Sequence, residues 1–297
     1  MPSDRASQTI RRRRLAAELR RLRERADLTG DQAAELLGWS GSKVSRIETH
    51  RIGVKPDDLR KLLDLYQVEP AHREQILALL HESAASGWLE SATAGFPADY
   101  ATYLYAEAEA DAVWIWDPQI VPGLIQTDAY ARHVLAGYQE MFKLPPGDAE
   151  RRIRIRRRRQ TQLFDRHPPL SLSVVIDEST LYRRFGDHAV MRAQLLRLEE
   201  LTALPNVALR VLPLAGAHPI GTGAFSYLRF DPVHDMLLGD MVEVEHLTGA
   251  YYLEDDEQVF RYRVTFESLT ATAAGKDQSR AMISAAARTH WAADGQA

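Results

Sequence analysis

The sequence predicts a protein of two domains, an N-terminal all-α bundle followed by an α+β (mixed α/β) domain. Up to about residue 80, apolar residues recur at helical spacing, whereas beyond Pro169 they alternate as they do in strands. The charge also changes sign along the chain. Up to Lys61 there are 15 lysines and arginines against 9 aspartates and glutamates, and the remainder holds 22 against 32. A basic first part and an acidic second part indicate two modules with different partners.

The length and composition set the first limits on function. The 297 residues suffice for two domains, which we place at residues 1–86 and 87–297. The absence of cysteine excludes disulfides, thiolate nucleophiles and cysteine-ligated zinc, and it fits a reducing cytoplasm. No apolar run is long enough to cross a bilayer, and the arginine-rich start lacks the apolar stretch of a signal peptide. We therefore expect a cytoplasmic protein without a membrane partner.

Five helices are expected in the first domain. The first covers Ile10 to Ala26, and Pro56 and Pro70 suit the first turns of the fourth and fifth. Each helix has one apolar face, and the bundle would bury these faces against one another. The residues expected to face inward are Leu15, Leu19, Leu22, Ala33, Leu36, Leu37, Val44, Ile47, Leu59, Leu62, Leu63, Tyr66, Ile76, Leu77 and Leu80.

The second and third helices form a helix-turn-helix unit. Thr29 and Gln32 have the spacing of a capping box that opens the second helix, which Gly38 ends. Ser40 can cap the third helix, which continues to Thr49. In such units the third helix lies in the major groove of DNA. The residues left on its outer side or directly after it, which we predict to contact DNA, are Ser42, Lys43, Ser45, Arg46 and Arg51.

The stretch from Leu19 to Arg51 resembles the XRE (lambda-repressor-like) helix-turn-helix family, including its Ser-Arg-Ile-Glu segment that ends at Glu48. The resemblance implies a transcriptional regulator that binds double-stranded DNA. Two positions depart from the family pattern, because Gly30 and Gly41 stand where polar side chains, often glutamine, help to anchor the domain on DNA. We therefore expect a weakened DNA contact, and a retained scaffold that no longer binds DNA is the alternative.

In the second domain we expect a helix from Tyr103 to Val113, an extended WIWDPQIVPG segment, a helix from about Thr127 to Ala136 and a basic helix from Asp148 to Phe164. The seven arginines of the basic helix can bind phosphates, or they can form ion pairs with acidic residues of their own domain. We favour the ion pairs. Strands are expected around Val174, Leu209, Tyr227, Val244 and Tyr252, and further helices around Leu195, Phe266 and Ile283. This order indicates an antiparallel part of the sheet.

The candidate ligand-binding or catalytic residues of this domain are titratable groups that share a helix face, a strand or a loop. General acid–base chemistry needs only two such groups in suitable positions. For each of them a solvated or packed structural role is the competing interpretation. No metal-ligand spacing and no glycine-rich phosphate loop is present, so no metal and no cofactor is expected. The candidates are Tyr103, Glu107 and Asp111 on the predicted helix, His218 in a loop, and Glu243, Glu245 and His246 on one strand.

From Tyr103 to Ala287 the chain resembles the C-terminal domain, of uncharacterised function, found behind XRE-type helix-turn-helix units in actinobacterial regulators. The resemblance is carried by Glu107-Ala-Glu109, by Val121-Pro-Gly-Leu-Ile-Gln-Thr127 and by Leu247-Thr-Gly249. It implies a regulator of a kind often encoded beside a small partner protein, in an antitoxin-like arrangement. His246 departs from the pattern, since a small residue is frequent before Leu-Thr-Gly.

Three functions follow from these patterns. The first is a DNA-binding regulator, expected to be a homodimer, that reads an operator and responds to a small molecule or small partner protein through its second domain. The second is a cofactor-independent enzyme on a regulator scaffold, an isomerase or epimerase of a specialised metabolite that uses carboxylate and histidine groups. The third is a protein-interaction module. The operator, the ligand and the sign of regulation stay open.

Overall fold

The computed structural model describes residues 3–49, 52–78, 89, 93, 96–142, 147–161, 165–231 and 239–292. By its internal contacts the chain divides into two units. The first is Met1–Glu109 with Phe230–Asp240, and the second is Ala110–Arg229 with Met241–Ala297. The predicted boundary at residues 86 and 87 lies outside the described residues.

The first unit is helical, as predicted. Its helices are α1 (Ser3–Arg25), α2 (Gly30–Leu37), α3 (Gly41–Glu48), α4 (Pro56–Leu65), α5 (Pro70–Ala78) and α6 (Ala98–Glu109). The first five share a core in which the predicted leucines of α1 and α4 are buried together with Ile47, Tyr66 and Ile76. Leu80, which was expected in this core, lies outside the described residues.

The prediction that Leu36 faces the core is wrong. The side chain of Leu36 is 63% exposed, and Ala34 is buried instead, beside Ala33. Each step along an α-helix turns a side chain by roughly 100°. The buried arc of α2 runs over Ala33, Ala34 and Leu37, so Leu36 falls outside it.

The second unit contains a mixed sheet with helices, as predicted. In the described part of the chain the strands are β1 (Ala112–Asp117), β2 (Ser171–Asp177), β3 (Val207–Leu212), β4 (Phe225–Arg229), β5 (Met241–His246) and β6 (Gly249–Leu253). The helices are α7 (Asp128–Phe142), α8 (Asp148–Gln160), α9 (His188–Leu201), α10 (Asp256–Thr272) and α11 (Lys276–Ala285). The helix expected to reach Val113 ends at Glu109, because AVWIWD forms the central strand β1 between β2 and β4.

The strand order is β3-β2-β1-β4-β5-β6. Strands β1, β2 and β3 are parallel, whereas β4, β5 and β6 pair antiparallel in succession. Because β4 opposes both β1 and β5, the strand β5 runs in the same direction as β1. The carboxyl ends of β1, β2, β3 and β5 therefore meet at one edge of the sheet, which we call the carboxyl edge.

Helix α10 covers one face of the sheet. Trp114 stacks on Tyr227 and on Phe266, with ring centroids 4.9 and 5.3 Å away, and Trp116, Val175 and other large side chains complete this core. Strand alternation places the neighbouring residues of β1, β4 and β5 on the opposite face. There Ile115, Ser226 and Glu243 lie in one row across the three strands.

Candidate functional site

The two ends of α2 have the local geometry that the sequence predicts, whereas the predicted cap of α3 is not formed by a side-chain hydrogen bond. The Thr29 hydroxyl accepts a hydrogen bond from the Gln32 backbone N–H at 3.2 Å, and the Gln32 side chain accepts one from the Thr29 N–H at 2.8 Å. Gly38 ends α2 with a φ of +66°, a conformation that favours glycine. Ser40 stands at the N-cap of α3 but makes no side-chain capping bond there.

Helix α3 has a buried and an exposed side. Val44 and Ile47 are buried, whereas Ser42, Ser45 and Arg46 are exposed. The Arg46 Nε donates to the Ser42 backbone oxygen at 3.2 Å, so this side chain lies along the outer surface of the helix. Three of the residues predicted to contact DNA therefore share one accessible face. Arg51, the fifth of them, lies outside the described residues.

Lys43 is partly engaged within the unit. Its Nζ lies 2.9 Å from the Asp58 carboxylate and 3.6 Å from the centre of the Trp39 ring. An ion pair and a cation–π contact both favour this position of the ammonium group. Any contact of Lys43 with a phosphate or a base has to compete with Asp58.

Gly30 and Gly41, the two positions that depart from the family pattern, differ in their surroundings. A Cβ added to Gly41 would lie 2.5 Å from the Asp31 carboxylate oxygen, a contact that a rotation of the exposed Asp31 side chain would relieve. A Cβ added to Gly30 would meet nothing within 4 Å. Nothing in the structure therefore requires a glycine at either position.

A partly buried ion pair connects α3 to α1. The guanidinium of Arg23 donates two hydrogen bonds to the Glu48 carboxylate, both at 2.8 Å, and a third to the Leu28 backbone oxygen at 2.7 Å. Only 12% of the Arg23 side chain and 8% of that of Glu48 are exposed. The hydrogen bonds to Glu48 raise the pKa of Arg23. This pair sets the orientation of the helix that carries the proposed DNA contacts.

The predicted helical stripe of Tyr103, Glu107 and Asp111 does not lie on one helix, because the helix ends at Glu109. Tyr103 and Glu107 are buried on α6, which packs against α1 in the first unit, where Arg13 and Arg14 are also buried. Asp111 follows the end of α6 and belongs to the second unit. Its carboxylate lies 3.0 Å from the Arg166 guanidinium.

The histidine and glutamate candidates of the second unit lie at or near the carboxyl edge. His218 is in the exposed loop after β3, with its Nε2 3.9 Å from the Asp177 carboxylate. On β5, Glu243 is half-buried, while Glu245 and His246 are exposed. Strand alternation sets the two glutamates on the face opposite to Val242, as expected, and the His246 ring contacts Tyr251 at 4.7 Å between centroids.

Asp117 belongs to the same edge, although no sequence motif singles it out. Ile115 and Glu243 lie in one row on the same face of the sheet. Asp117 follows Ile115 by two residues, and Glu245 follows Glu243 by two residues, so both carboxylates lie on that face at the carboxyl edge. Two strand spacings separate them by roughly 10 Å. An acidic residue directly at the end of a buried strand was the pattern that could have indicated it.

Helix α8 brings arginines to these carboxylates. Arg152, Arg156 and Arg159 recur at positions i, i+4 and i+7. Although Glu245 as a whole is exposed, desolvation of its carboxyl group raises its pKa, and the three arginines act in the opposite direction. Arg156 packs against Gly123, where an added Cβ would lie 3.3 Å from its Nε. Other arginines of α8 form ion pairs with acidic residues of their own unit, which is the alternative that we favoured from the sequence. Arg157 pairs with Asp128, and Arg151 lies 3.7 Å from Asp148. The run therefore has an acid-paired side and a side that faces the carboxyl edge.

Burial raises the pKa of Asp117 from 3.8 to about 6, and the nearby Glu245 carboxylate adds to the rise. Hydrogen bonds from the N–H groups of Ile120 and Gln119, and the charge of Arg183, act in the opposite direction. A group with a raised pKa in the folded state binds its proton more tightly there. Its contribution to stability is therefore present at low pH and is lost as the pH rises toward the folded pKa.

We expect the Asp117→Asn variant to keep its stability over this pH range, because asparagine does not ionise. Between about pH 4.5 and about pH 7.5 the free energy of unfolding of the wild-type protein should fall relative to that of the variant by about 2 kcal/mol. Urea unfolding at both pH values measures the difference, and Asp256→Asn at an exposed position of α10 serves as the charge-matched control. An unchanged difference between wild type and Asp117→Asn would contradict the assigned burial of this carboxylate.

Among the described residues, no helix is long and apolar enough to cross a membrane, and no group of three or more histidine, aspartate or glutamate side chains is arranged to hold a metal ion. The geometry of the first unit is that of a helix-turn-helix DNA-binding domain. Residues 14–76 match a family model described as a helix-turn-helix domain.

The second unit defines the family. Residues 100–285 match the model described as a domain of unknown function, DUF5753, and the chain belongs to that family. The combination of both domains is consistent with an XRE-like regulator. No curated protein and no solved structure matches the chain.

Proposed function

We propose that this protein is a transcriptional regulator that reads an operator through α3 and responds to a small molecule or a small partner protein through its second unit. It acts on DNA in the cytoplasm as a homodimer. Two copies of α3, related by a two-fold axis, would enter successive major grooves at the two halves of one operator.

The accessible face of α3 is the observation that carries the proposal. Ser42, Ser45 and Arg46 are exposed on it, while Val44 and Ile47 anchor the helix in the core. Arginine matches the acceptor pair of a guanine edge, and serine hydroxyls can donate to bases or phosphates. Arg51, which follows α3 in the sequence, is the predicted phosphate contact. Residues of both kinds are required, because phosphate contacts position a protein on DNA and base contacts specify the sequence.

The charge of the first part of the chain supports the same function. Up to Lys61 the sequence carries a net charge of +6, although the whole chain carries −4. Binding that neutralises phosphates releases counterions, so the affinity falls as salt rises. Titration of the full chain with a duplex from the region upstream of its own gene, at several salt concentrations, tests the proposal. Absence of binding at low salt would refute it.

The ion pair of Lys43 leads to a specific prediction. Replacing Asp58 with asparagine removes the competing anion of Lys43 and one negative charge near the face of α3. We expect the affinity for duplex DNA to rise by roughly threefold at low salt, with a slightly steeper salt dependence.

Asp57→Asn is the matched control, because Asp57 is the preceding residue on α4 and pairs with Arg60 at the surface. A filter-binding or fluorescence-anisotropy titration compares the two variants. If Asp58→Asn binds no more tightly than Asp57→Asn, the competition of Asp58 for Lys43 has no effect on DNA binding.

A further inference from the structure

We infer that α3 reads a guanine in each half of the operator, and that Arg46 is the residue that reads it. The DNA ligand is then a duplex with two-fold symmetry in which each half-site contains a G·C pair opposite Arg46. The centres of the half-sites lie one helical turn of DNA, or a multiple of it, apart. This inference rests on the proposed function and names the sequence feature that the regulator recognises.

The outward side of α3 carries a single charged residue. Its exposed residues, including the C-cap, are Ser42, Ser45, Arg46 and Thr49. With roughly 100° of rotation per residue, these four positions span an arc of roughly 100° on the side away from the core. Three of the four end in a hydroxyl group, which can contact several bases and therefore selects weakly among them. Strong selection of a base by this arc depends on Arg46.

The charged residues on the two flanks of this arc have partners within the first unit. Lys43 lies 2.9 Å from the Asp58 carboxylate and over the ring of Trp39, and Glu48 accepts two hydrogen bonds from Arg23. A lysine can donate to guanine, and a glutamate can accept from cytosine. For Lys43 and Glu48 either contact requires that an existing ion pair be broken, so neither residue competes with Arg46 as the reader of a base.

The Arg46 side chain is directed toward the N-terminal turn of α3. Its Nε donates to the backbone oxygen of Ser42, one turn earlier. In helix-turn-helix domains this end of the recognition helix contacts the base edges. The two terminal nitrogens of the guanidinium can donate together to O6 and N7 of a guanine. Asparagine and glutamine, which match an adenine edge in the same way, do not occur in α3, so guanine is the base that it reads with two hydrogen bonds.

The test begins with selection of duplexes from a random pool by the full chain, at low salt. We expect one strongly preferred G·C pair in each half of the selected sequence. That guanine is then replaced with 7-deazaguanine, which keeps the base pair but lacks the N7 acceptor. We expect the wild-type chain to bind the modified duplex about threefold or more weakly than the unmodified duplex, because one of the two hydrogen bonds is lost.

Two variants show which residue reads the guanine. Arg46→Ala has no guanidinium to contact N7, so it should bind the two duplexes equally well. Lys43→Gln is the matched control, because it removes one positive charge from the neighbouring flank of the same helix. It should weaken binding of both duplexes and keep the wild-type ratio of about threefold or more between them. The ratio of the two affinities is compared, since a general loss of stability lowers both affinities together.

Three results would overturn the inference while the proposed DNA binding stands. They are selected half-sites without a preferred guanine, equal binding of both duplexes by the wild-type chain, and a wild-type ratio in Arg46→Ala. If the wild-type chain binds no duplex of the pool, the proposed function fails and the inference fails with it. A misfolded Arg46→Ala chain would bind neither duplex, and the wild-type comparison of the two duplexes then decides by itself.

Discussion

Replacing Glu48 with glutamine is expected to lower the free energy of unfolding of the first unit by about 3 kcal/mol. Removing one partner of a buried ion pair leaves the other charge without compensation, which costs more than the pair itself contributes. Arg23 is 12% exposed and makes two of its three hydrogen bonds to Glu48. Urea unfolding of the full chain measures the change. Hydrogen exchange of the amides in α1 and α3 shows whether the loss occurs in the first unit.

Asp57→Asn is the control for this prediction. Asp57 pairs with Arg60 on the surface of α4 in the same unit, where the two side chains are 88% and 56% exposed. Surface pairs contribute about 0–1 kcal/mol, so this variant should remain close to wild type. Equal effects of Glu48→Gln and Asp57→Asn would show that the pair between α1 and α3 does not fix the helix.

Replacing Arg46 with alanine is expected to weaken operator binding by about 1–3 kcal/mol, which corresponds to roughly 5-fold to 150-fold in affinity. The side chain lies on the exposed face of α3 and has no acidic partner among the described residues. Because a base contact is lost, the variant should also discriminate less between the operator and a duplex of scrambled sequence.

Arg263→Ala provides the control for the loss of one positive charge, because Arg263 is exposed on α10 in the second unit. Its effect on operator affinity should be less than about twofold. Fluorescence anisotropy with both duplexes, at one fixed salt concentration, measures affinity and discrimination together. An unchanged discrimination in Arg46→Ala would assign this arginine to the phosphate backbone instead of a base.

The helices of the first unit could be predicted because their signals are local. The capping box of Thr29 and Gln32 and the glycine at position 38 act within a few residues of the chain. The burial of Leu36 was predicted wrongly because, in the short helix α2, the side that carries Leu36 is almost as apolar as the side that carries Ala34. Tertiary packing against α3 and α4 selects Ala34 over Leu36, and no local pattern records that selection.

The charged site of the second unit could be predicted only in part. Strand alternation gives the shared face of Glu243 and Glu245, since it depends on one strand alone. The neighbourhood of Asp117, Glu245 and the α8 arginines depends on strand order and on crossover connections over more than 100 residues. The stripe of Tyr103, Glu107 and Asp111 failed as one helix face because the chain leaves the helix at Glu109 to form β1.

The proposed function depends most directly on whether the full chain binds the DNA upstream of its own gene. The measurement is a titration of that duplex, beside a scrambled duplex of equal length, from low to physiological salt. We expect tighter binding to the upstream duplex than to the scrambled one, with an affinity for either duplex that falls steeply as salt rises. No binding to either duplex at the lowest salt concentration would contradict it.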